Sequence, residues 1–175
     1  MIMPPRIRRV ALTAHITASV GWLGAVFGFL ALSVVGLTSR DPQRARAAYL
    51  AMESTGWLVL VPLALASLLT GLVQSLGTVW GLFRHYWVLV KFLITIVATV
   101  VLVLYMQTLS HLADVAETTP SSGELSGLRD PSPVLHAGAA LLLLVVATVL
   151  AVHKPQGMTA YGHKHHQGRT RRRPL

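Results

Sequence analysis

Hydrophobic residues in this chain come in long uninterrupted blocks, and not in the 3.6-residue stripes of a soluble amphipathic helix. The blocks cover residues 10–37, 56–76, 86–107 and 134–152. The block at 86–107 contains one charged residue, Lys91, and the other three contain none. A helix that crosses the hydrocarbon core needs about 20 apolar residues. The pattern therefore predicts an all-α integral membrane four-helix bundle.

Two details of the blocks affect this interpretation. Pro62 lies inside the second block, where neighbouring helices can satisfy the backbone groups that proline frees, so we expect a kinked helix that continues. The first block follows Arg6, Arg8 and Arg9, as a secretory signal would. Its apolar run is about twice as long as a signal-peptide core. We interpret it as a retained helix, which makes residues 1–155 one four-span domain.

Composition agrees with a membrane protein and excludes several kinds of chemistry. Of 175 residues, 53% are hydrophobic and 12% are charged, about half the charged share of a soluble domain. Cysteine is absent, which excludes disulfides, thiolate zinc sites and iron–sulfur clusters. The sequence shows no phosphate-binding loop, paired carboxylates or nucleophile–base pair. These absences disfavour hydrolytic and nucleotide chemistry, and whether the protein is an enzyme stays open.

The distribution of basic residues predicts the orientation. With four spans, both termini and the short second loop share one side of the membrane. That side carries ten basic residues, namely Arg6, Arg8, Arg9, Arg84, Lys154, Lys164, Arg169, Arg171, Arg172 and Arg173. The other side carries four, Arg40, Arg44, Arg46 and Arg129. By the positive-inside rule we expect both termini in the cytoplasm. Abundant arginine and the absence of asparagine suggest a GC-rich bacterium, and hence its cytoplasmic (inner) membrane.

The C-terminal segment 156–175 is basic, contains glycine and ends in Arg171-Arg172-Arg173 before Pro174-Leu175. We predict a disordered cytoplasmic tail that lies on anionic lipid head groups. Its run His163-Lys164-His165-His166 offers imidazoles to a transition metal as an alternative. Nucleic-acid binding is disfavoured, because topology already accounts for where the net charge of +9 is concentrated.

Two ionisable residues lie inside predicted spans, His15 in the first and Lys91 in the third. Such residues are costly in a membrane and mark functional sites by default. At about 100° per residue, Ser19 and Trp22 share the face of His15. The face of Lys91 also holds Trp87, Thr95, Ala98 and Tyr105.

Each of these two residues has two interpretations. His15 either forms a hydrogen bond to a neighbouring helix or ligates a cofactor. Lys91 either extends to the interface or pairs with an anion inside the bundle. No acid lies within any span, so that anion would come from a ligand such as a haem propionate.

Two further features concern partners and metals. Gly21, Gly24 and Gly28 lie opposite the His15 face and suit close packing with a second membrane protein or a second copy of the chain. His111 and His136 flank the outer loop, with Met106 near His111. Imidazole and thioether groups are copper ligands, so His111 and His136 form a candidate metal site.

A resemblance to a known superfamily rests on three segments. They are His15 followed by Gly21-Trp22-Leu23-Gly24-Ala25, then Tyr86-Trp87-Val88-Leu89-Val90-Lys91, and finally His153-Lys154-Pro155. In this order they resemble small four-helix bacterial membrane proteins. These include the copper-resistance D domain, the haem-b-containing J-type protoporphyrinogen oxidase and uncharacterised predicted integral membrane proteins. The resemblance covers residues 10–155 and implies a haem and substrate site at His15, Trp22 and Lys91.

The chain also differs from the oxidase. It has Phe29-Leu30-Ala31-Leu32 where the oxidase has an arginine-containing segment, and its third span has no mid-membrane histidine. The resemblance is therefore closest to the uncharacterised members. Three functions stay open: an accessory subunit without a cofactor that docks through its glycines, a haem b protein that moves electrons or acts on a porphyrin, and a copper-handling or transport protein.

Overall fold

The structure is a computed structural model that describes residues 3–77, 82, 85–118 and 129–153. Its helices are α1 (Pro5–Thr38), α2 (Pro42–Thr55), α3 (Val61–Gly77), α4 (Tyr86–Thr118) and α5 (Ser132–His153). A π-helical turn over Gly56–Leu60 joins α2 to α3, so the two form one continuous helix. The prediction of an all-α bundle with four membrane-crossing helices is confirmed. The predicted basic tail lies outside the described residues.

The four spans pack as a ring in chain order. Helix α1 contacts the α2–α3 helix on one side and α5 on the other, and α4 contacts the same two neighbours from across the bundle. We call the end with Pro5, Gly77, Tyr86 and His153 the terminal end, and the opposite end the distal end.

Helix α1 shows why these apolar segments form a bundle. Its buried residues are spaced three or four apart, at Ala18, Trp22, Val26, Phe29, Ser33 and Gly36. This spacing places them in one stripe that faces the other helices. The remaining faces of α1 are also apolar, as at Val20 and Phe27, which are 63% and 54% exposed. Apolar surface on both faces is what a lipid environment requires.

Three of the four helices are longer than a bilayer needs. α1, α2–α3 and α4 have 34, 36 and 33 residues, which is about 50 Å at about 1.5 Å per residue. The hydrocarbon core is about 30 Å thick, and the 22 residues of α5 match it. The predicted spans 56–76 and 86–107 are therefore the apolar parts of longer helices.

The excess length at the distal end forms a polar extension, made of α2 and residues 108–118 of α4. It carries charged side chains such as Glu53, Asp114 and Glu117. Asp41 caps its first helix by accepting from the Gln43 backbone N–H at 3.0 Å, with Pro42 at the first helical position. Arg46 Nη2 donates to the Glu117 carbonyl at 3.0 Å, which joins α2 to α4.

The π turn has a local cause. Pro62 has no N–H and its ring crowds the carbonyl one turn earlier, which the wider π turn accommodates just before it. The Val61 N–H accordingly bonds the Gly56 carbonyl, five residues back. The expected kink at Pro62 is thus a π turn in a helix that continues.

Candidate functional site

A cleft of about 390 Å³ lies among the four helices in the terminal half of the bundle. We call it the polar cleft. Its polar lining includes Arg8, His15, Ser67, Gln74, Ser75 and Lys91, and its apolar lining includes Leu12, Leu68 and Phe92. Each of α1, α3 and α4 thus contributes both polar and apolar side chains to the lining. Such a cleft suits a molecule with an acidic group and an apolar body.

The sequence-predicted residues His15 and Lys91 meet in this cleft. Lys91 Nζ lies 3.4 Å from His15 Nε2, and both side chains are partly buried. Lys91 therefore points into the bundle and not along its helix toward the interface. Thr95, one turn after Lys91, also lines the cleft.

The other side of the His15 ring rests on α3. His15 Nδ1 lies 3.1 Å from Thr70 Oγ1, and the Thr70 hydroxyl donates to the Ala66 carbonyl at 2.6 Å. Gly71 lies under the ring, since a Cβ added there would lie 3.1 Å from His15 Cε1. Thr70 and Gly71 were not predicted from the sequence. A hydroxyl residue followed by a glycine in an apolar span is nevertheless a pattern that could have indicated a polar contact between helices.

Further polar contacts hold α1 against α3 around the ring. The hydroxyls of Ser19 and Ser67 are 2.9 Å apart. Nearer the terminal end, Gln74 Nε2 donates to the Arg8 carbonyl at 3.2 Å. The Ser19–Ser67 and Gln74–Arg8 contacts lie on either side of the His15–Thr70 pair along the two helices. They fix the relative position of the two walls of the cleft.

The cations of the terminal half have no carboxylate near them in the sequence. The five acidic residues that the structure describes lie elsewhere, at Asp41, Glu53, Asp114, Glu117 and Asp130. The described acids belong to the distal end, where Asp41 pairs with Arg44 at 3.5 Å. A charge in an apolar setting is costly unless an opposite charge compensates it. The cleft is therefore an electropositive site within the apolar part of the bundle.

Trp22 is not part of the polar cleft. It is 2% exposed and lines a second, apolar cavity of about 100 Å³, together with Val26 and Phe29 of the same helix. Ala98 and Tyr105, from the predicted Lys91 stripe, also line this apolar cavity. The predicted Lys91 stripe therefore faces the interior along α4. Its residues Trp87, Lys91 and Thr95 line the polar cleft, whereas Ala98 and Tyr105 line the apolar cavity.

Tyr105 is one of the residues that line the apolar cavity. Its ring stacks on His136 with 3.9 Å between ring centroids and 18° between planes. His136 Nδ1 lies 2.9 Å from the Ser132 carbonyl. Within the described residues the buried Tyr105 hydroxyl makes no hydrogen bond of ordinary geometry, although Ser132 lies beside it.

The proposed copper ligands are placed apart from one another. His111 is exposed on α4, six residues beyond Tyr105 and about 120° around the helix from it, whereas His136 stacks on Tyr105. Met106 is fully buried against Gly56. Among the described residues no group of three His, Cys, Asp or Glu side chains comes together. Copper binding at His111 and His136 stays a prediction.

The three glycines of α1 fall into two environments. A Cβ at Gly21 would contact Leu63 of α3 at 3.5 Å, so Gly21 belongs to the packing inside the bundle. Nothing lies within 4 Å of a Cβ placed at Gly24 or Gly28, and both residues are exposed. The open glycine face is thus limited to Gly24 and Gly28.

Comparison with models of protein families, with curated proteins and with solved structures gives no match for this chain. The superfamily resemblance drawn from the sequence therefore stays a prediction. Helix lengths, hydropathy and packing show a four-span integral membrane protein.

Proposed function

We propose that the protein binds an amphiphilic anion in the polar cleft, and that haem b is the ligand it accepts. The observation that carries the proposal is the pairing of His15 and Lys91 on the wall of a partly apolar cleft. Lys91 lacks a carboxylate partner among the described residues, and a propionate would supply one. Leu12, Leu68 and Phe92 would lie against the apolar porphyrin.

The chemistry of the donor set agrees with haem b. A neutral imidazole is a common axial ligand of haem iron, and a hydrogen bond from its other nitrogen orients it. His15 would be that ligand and Lys91 would neutralise a propionate. When bound, haem b supplies one-electron redox chemistry at its iron. Trp22 would lie deeper in the bundle, about 10 Å along α1 from His15.

The test is an absorption spectrum of the protein purified in mild detergent from cells supplied with a haem precursor. We expect a Soret band that sharpens on dithionite reduction and is lost in His15→Ala. The matched control is His153→Ala, because His153 is an exposed histidine at the same end of the bundle. A folded wild-type protein without a Soret band, even after haemin is added, would rule out haem b.

Binding of metal-free protoporphyrin tests the proposed anion site independently of the proposed iron ligand. It carries the same propionates, so quenching of tryptophan fluorescence by protoporphyrin should depend on Lys91 and much less on His15. Lys91→Arg, which keeps the charge, should retain most of the quenching that Lys91→Met loses. Equal quenching in all three proteins would contradict the proposed anion site.

A second candidate function is an accessory subunit that associates through α1. The open face at Gly24 and Gly28 favours it, because small residues allow close approach of helices in a membrane. We expect Gly24→Ile with Gly28→Ile to lower the oligomer fraction measured by native mass spectrometry. Gly138→Ile is the control, since Gly138 is equally open on α5. An unchanged oligomer fraction in the double variant would contradict this second candidate function.

A further inference from the structure

We infer that Thr70 is a positioning residue that holds the His15 ring with its proton on Nδ1 and its lone pair on Nε2, facing the cleft. This inference deepens the proposed function, and its functional role rests on that proposal. The hydrogen bond itself exists without any ligand, so it can be measured independently.

The first argument comes from the α3 side of the ring. The Thr70 hydroxyl has one proton, and its contact of 2.6 Å to the Ala66 carbonyl is the shortest it makes. With that proton committed to the carbonyl, Thr70 Oγ1 can only accept from His15 Nδ1 at 3.1 Å. Nδ1 must therefore be the protonated nitrogen of the ring.

The second argument comes from the cleft side and is independent of the first. A lysine ammonium has three donors and no acceptor. Lys91 Nζ lies 3.4 Å from His15 Nε2, so this nitrogen must offer its lone pair to the ammonium. A neutral imidazole with a lone pair on Nε2 carries its proton on Nδ1. Both neighbours thus specify the same tautomer.

Packing under the ring supports the same orientation. A Cβ at Gly71 would lie 3.1 Å from His15 Cε1, which is tighter than nine in ten real Cβ contacts. Glycine at residue 71 therefore lets the ring lie against α3 without the shift of a few tenths of an ångström that a Cβ would require. The consecutive pair Thr70-Gly71 therefore provides both an acceptor for Nδ1 and the space that the ring needs.

The consequence for ligand binding is specific. An iron ligand needs an accessible lone pair, and the nitrogen opposite it is usually held by a hydrogen bond. Thr70 provides that bond from outside the cleft, without contacting the ligand. Lys91, with its flexible chain, can move from Nε2 to an acidic group of the ligand.

The test is nitrogen-15 NMR of protein labelled on histidine, without haem and at alkaline pH. The His15 signals are assigned by their loss in His15→Gln. In the wild type we expect the pattern of an Nδ1-protonated ring. Thr70→Ser, which keeps the acceptor, should preserve this pattern, whereas Thr70→Val should lose it. Should Thr70→Val not fold, Thr70→Ala removes the same hydroxyl.

The outcomes distinguish the inference from the proposed function. An Nε2-protonated His15 in the wild type, or an unchanged Nδ1-protonated pattern in Thr70→Val, overturns the role of Thr70 whatever the protein binds. An Nδ1-protonated ring that depends on Thr70, in a protein without a Soret band, upholds the positioning and rejects haem. Where haem binds, Thr70→Val should shift the midpoint potential and Thr70→Ser should leave it near the wild-type value.

Discussion

At the scale of single residues, the sequence drew attention to the ionisable side chains of the first and third spans but did not show which residues contact them. His15 and Lys91 are conspicuous because ionisable groups are rare in apolar spans. Thr70 is inconspicuous because a threonine within a helix usually bonds its own preceding turn, and Thr70 does so. Its second contact, with His15, depends on how α1 and α3 are rotated, and the residue pattern does not contain that rotation.

Lys91→Met should stabilise the protein while weakening ligand binding. The half-buried Lys91 ammonium has no carboxylate partner among the described residues, so it costs free energy that a thioether of similar length avoids. We expect the free energy of unfolding in detergent to rise by about 1–2 kcal/mol. The measurement is thermal unfolding in the absence of ligand, with Lys91→Arg as the charge-preserving control. A loss of stability in Lys91→Met would show that the protein itself compensates the charge.

Gly71→Ala should impair binding without harming the fold. Alanine is a better helix former than glycine by about 1 kcal/mol, so the helix is not weakened. Its Cβ would press on the His15 ring at 3.1 Å and displace it. We expect haem affinity to fall about tenfold, or ~1.4 kcal/mol, in a haemin titration. Gly138→Ala, with open space around the new methyl, should leave affinity unchanged.

At the scale of elements, apolar blocks marked the parts of helices that cross the membrane but not where the helices end. The polar segment 42–55 shows no long apolar run, yet Asp41 and Pro42 form a recognisable start of a helix. The π turn was not predicted either, because Pro62 indicates a disturbed helix without specifying a π turn.

Gly56, at the start of the π turn, lets the second span approach α4. A Cβ there would lie 2.7 Å from Met106 Sδ and 3.4 Å from Leu109. Met106 and Leu109 are fully buried, so neither can move away freely. Gly56→Ala should therefore lower the free energy of unfolding by about 1–3 kcal/mol.

A double-mutant cycle tests this contact. In a Met106→Ala background the new methyl has room, so Gly56→Ala should cost about 1 kcal/mol less than in the wild type. Gly24→Ala, on an open helix face, is the control and should not destabilise. Additive effects of Gly56→Ala and Met106→Ala would mean that the two residues do not limit the approach of the helices.

At the scale of the whole molecule, charge is divided between the two ends of the bundle. The described part of the distal end holds all the described carboxylates, while Arg6, Arg8 and Arg9 extend from the terminal end. The positive-inside rule then predicts that the terminal end faces the cytoplasm. The fold by itself is compatible with either orientation, because helix packing does not depend on the direction of insertion.

The absence of cysteine makes this orientation directly testable. Thr118→Cys places a single thiol at the distal end, and His153→Cys places one at the terminal end. Both positions are exposed. A membrane-impermeant maleimide added to intact cells should label Thr118→Cys, and should label His153→Cys only after permeabilisation. The reverse pattern would show that the termini lie outside.

The distal extension has a practical consequence for imaging this molecule. We expect a detergent belt to enclose most of an 18.9 kDa four-span protein, which leaves single-particle alignment with few features to use. The extension consists of α2 and the end of α4, which are joined by Arg46 and pack together with the distal end of α1 around the buried Tyr49 and Met52. An antibody fragment raised against this epitope would therefore be rigidly attached to the bundle and could serve as a fiducial marker.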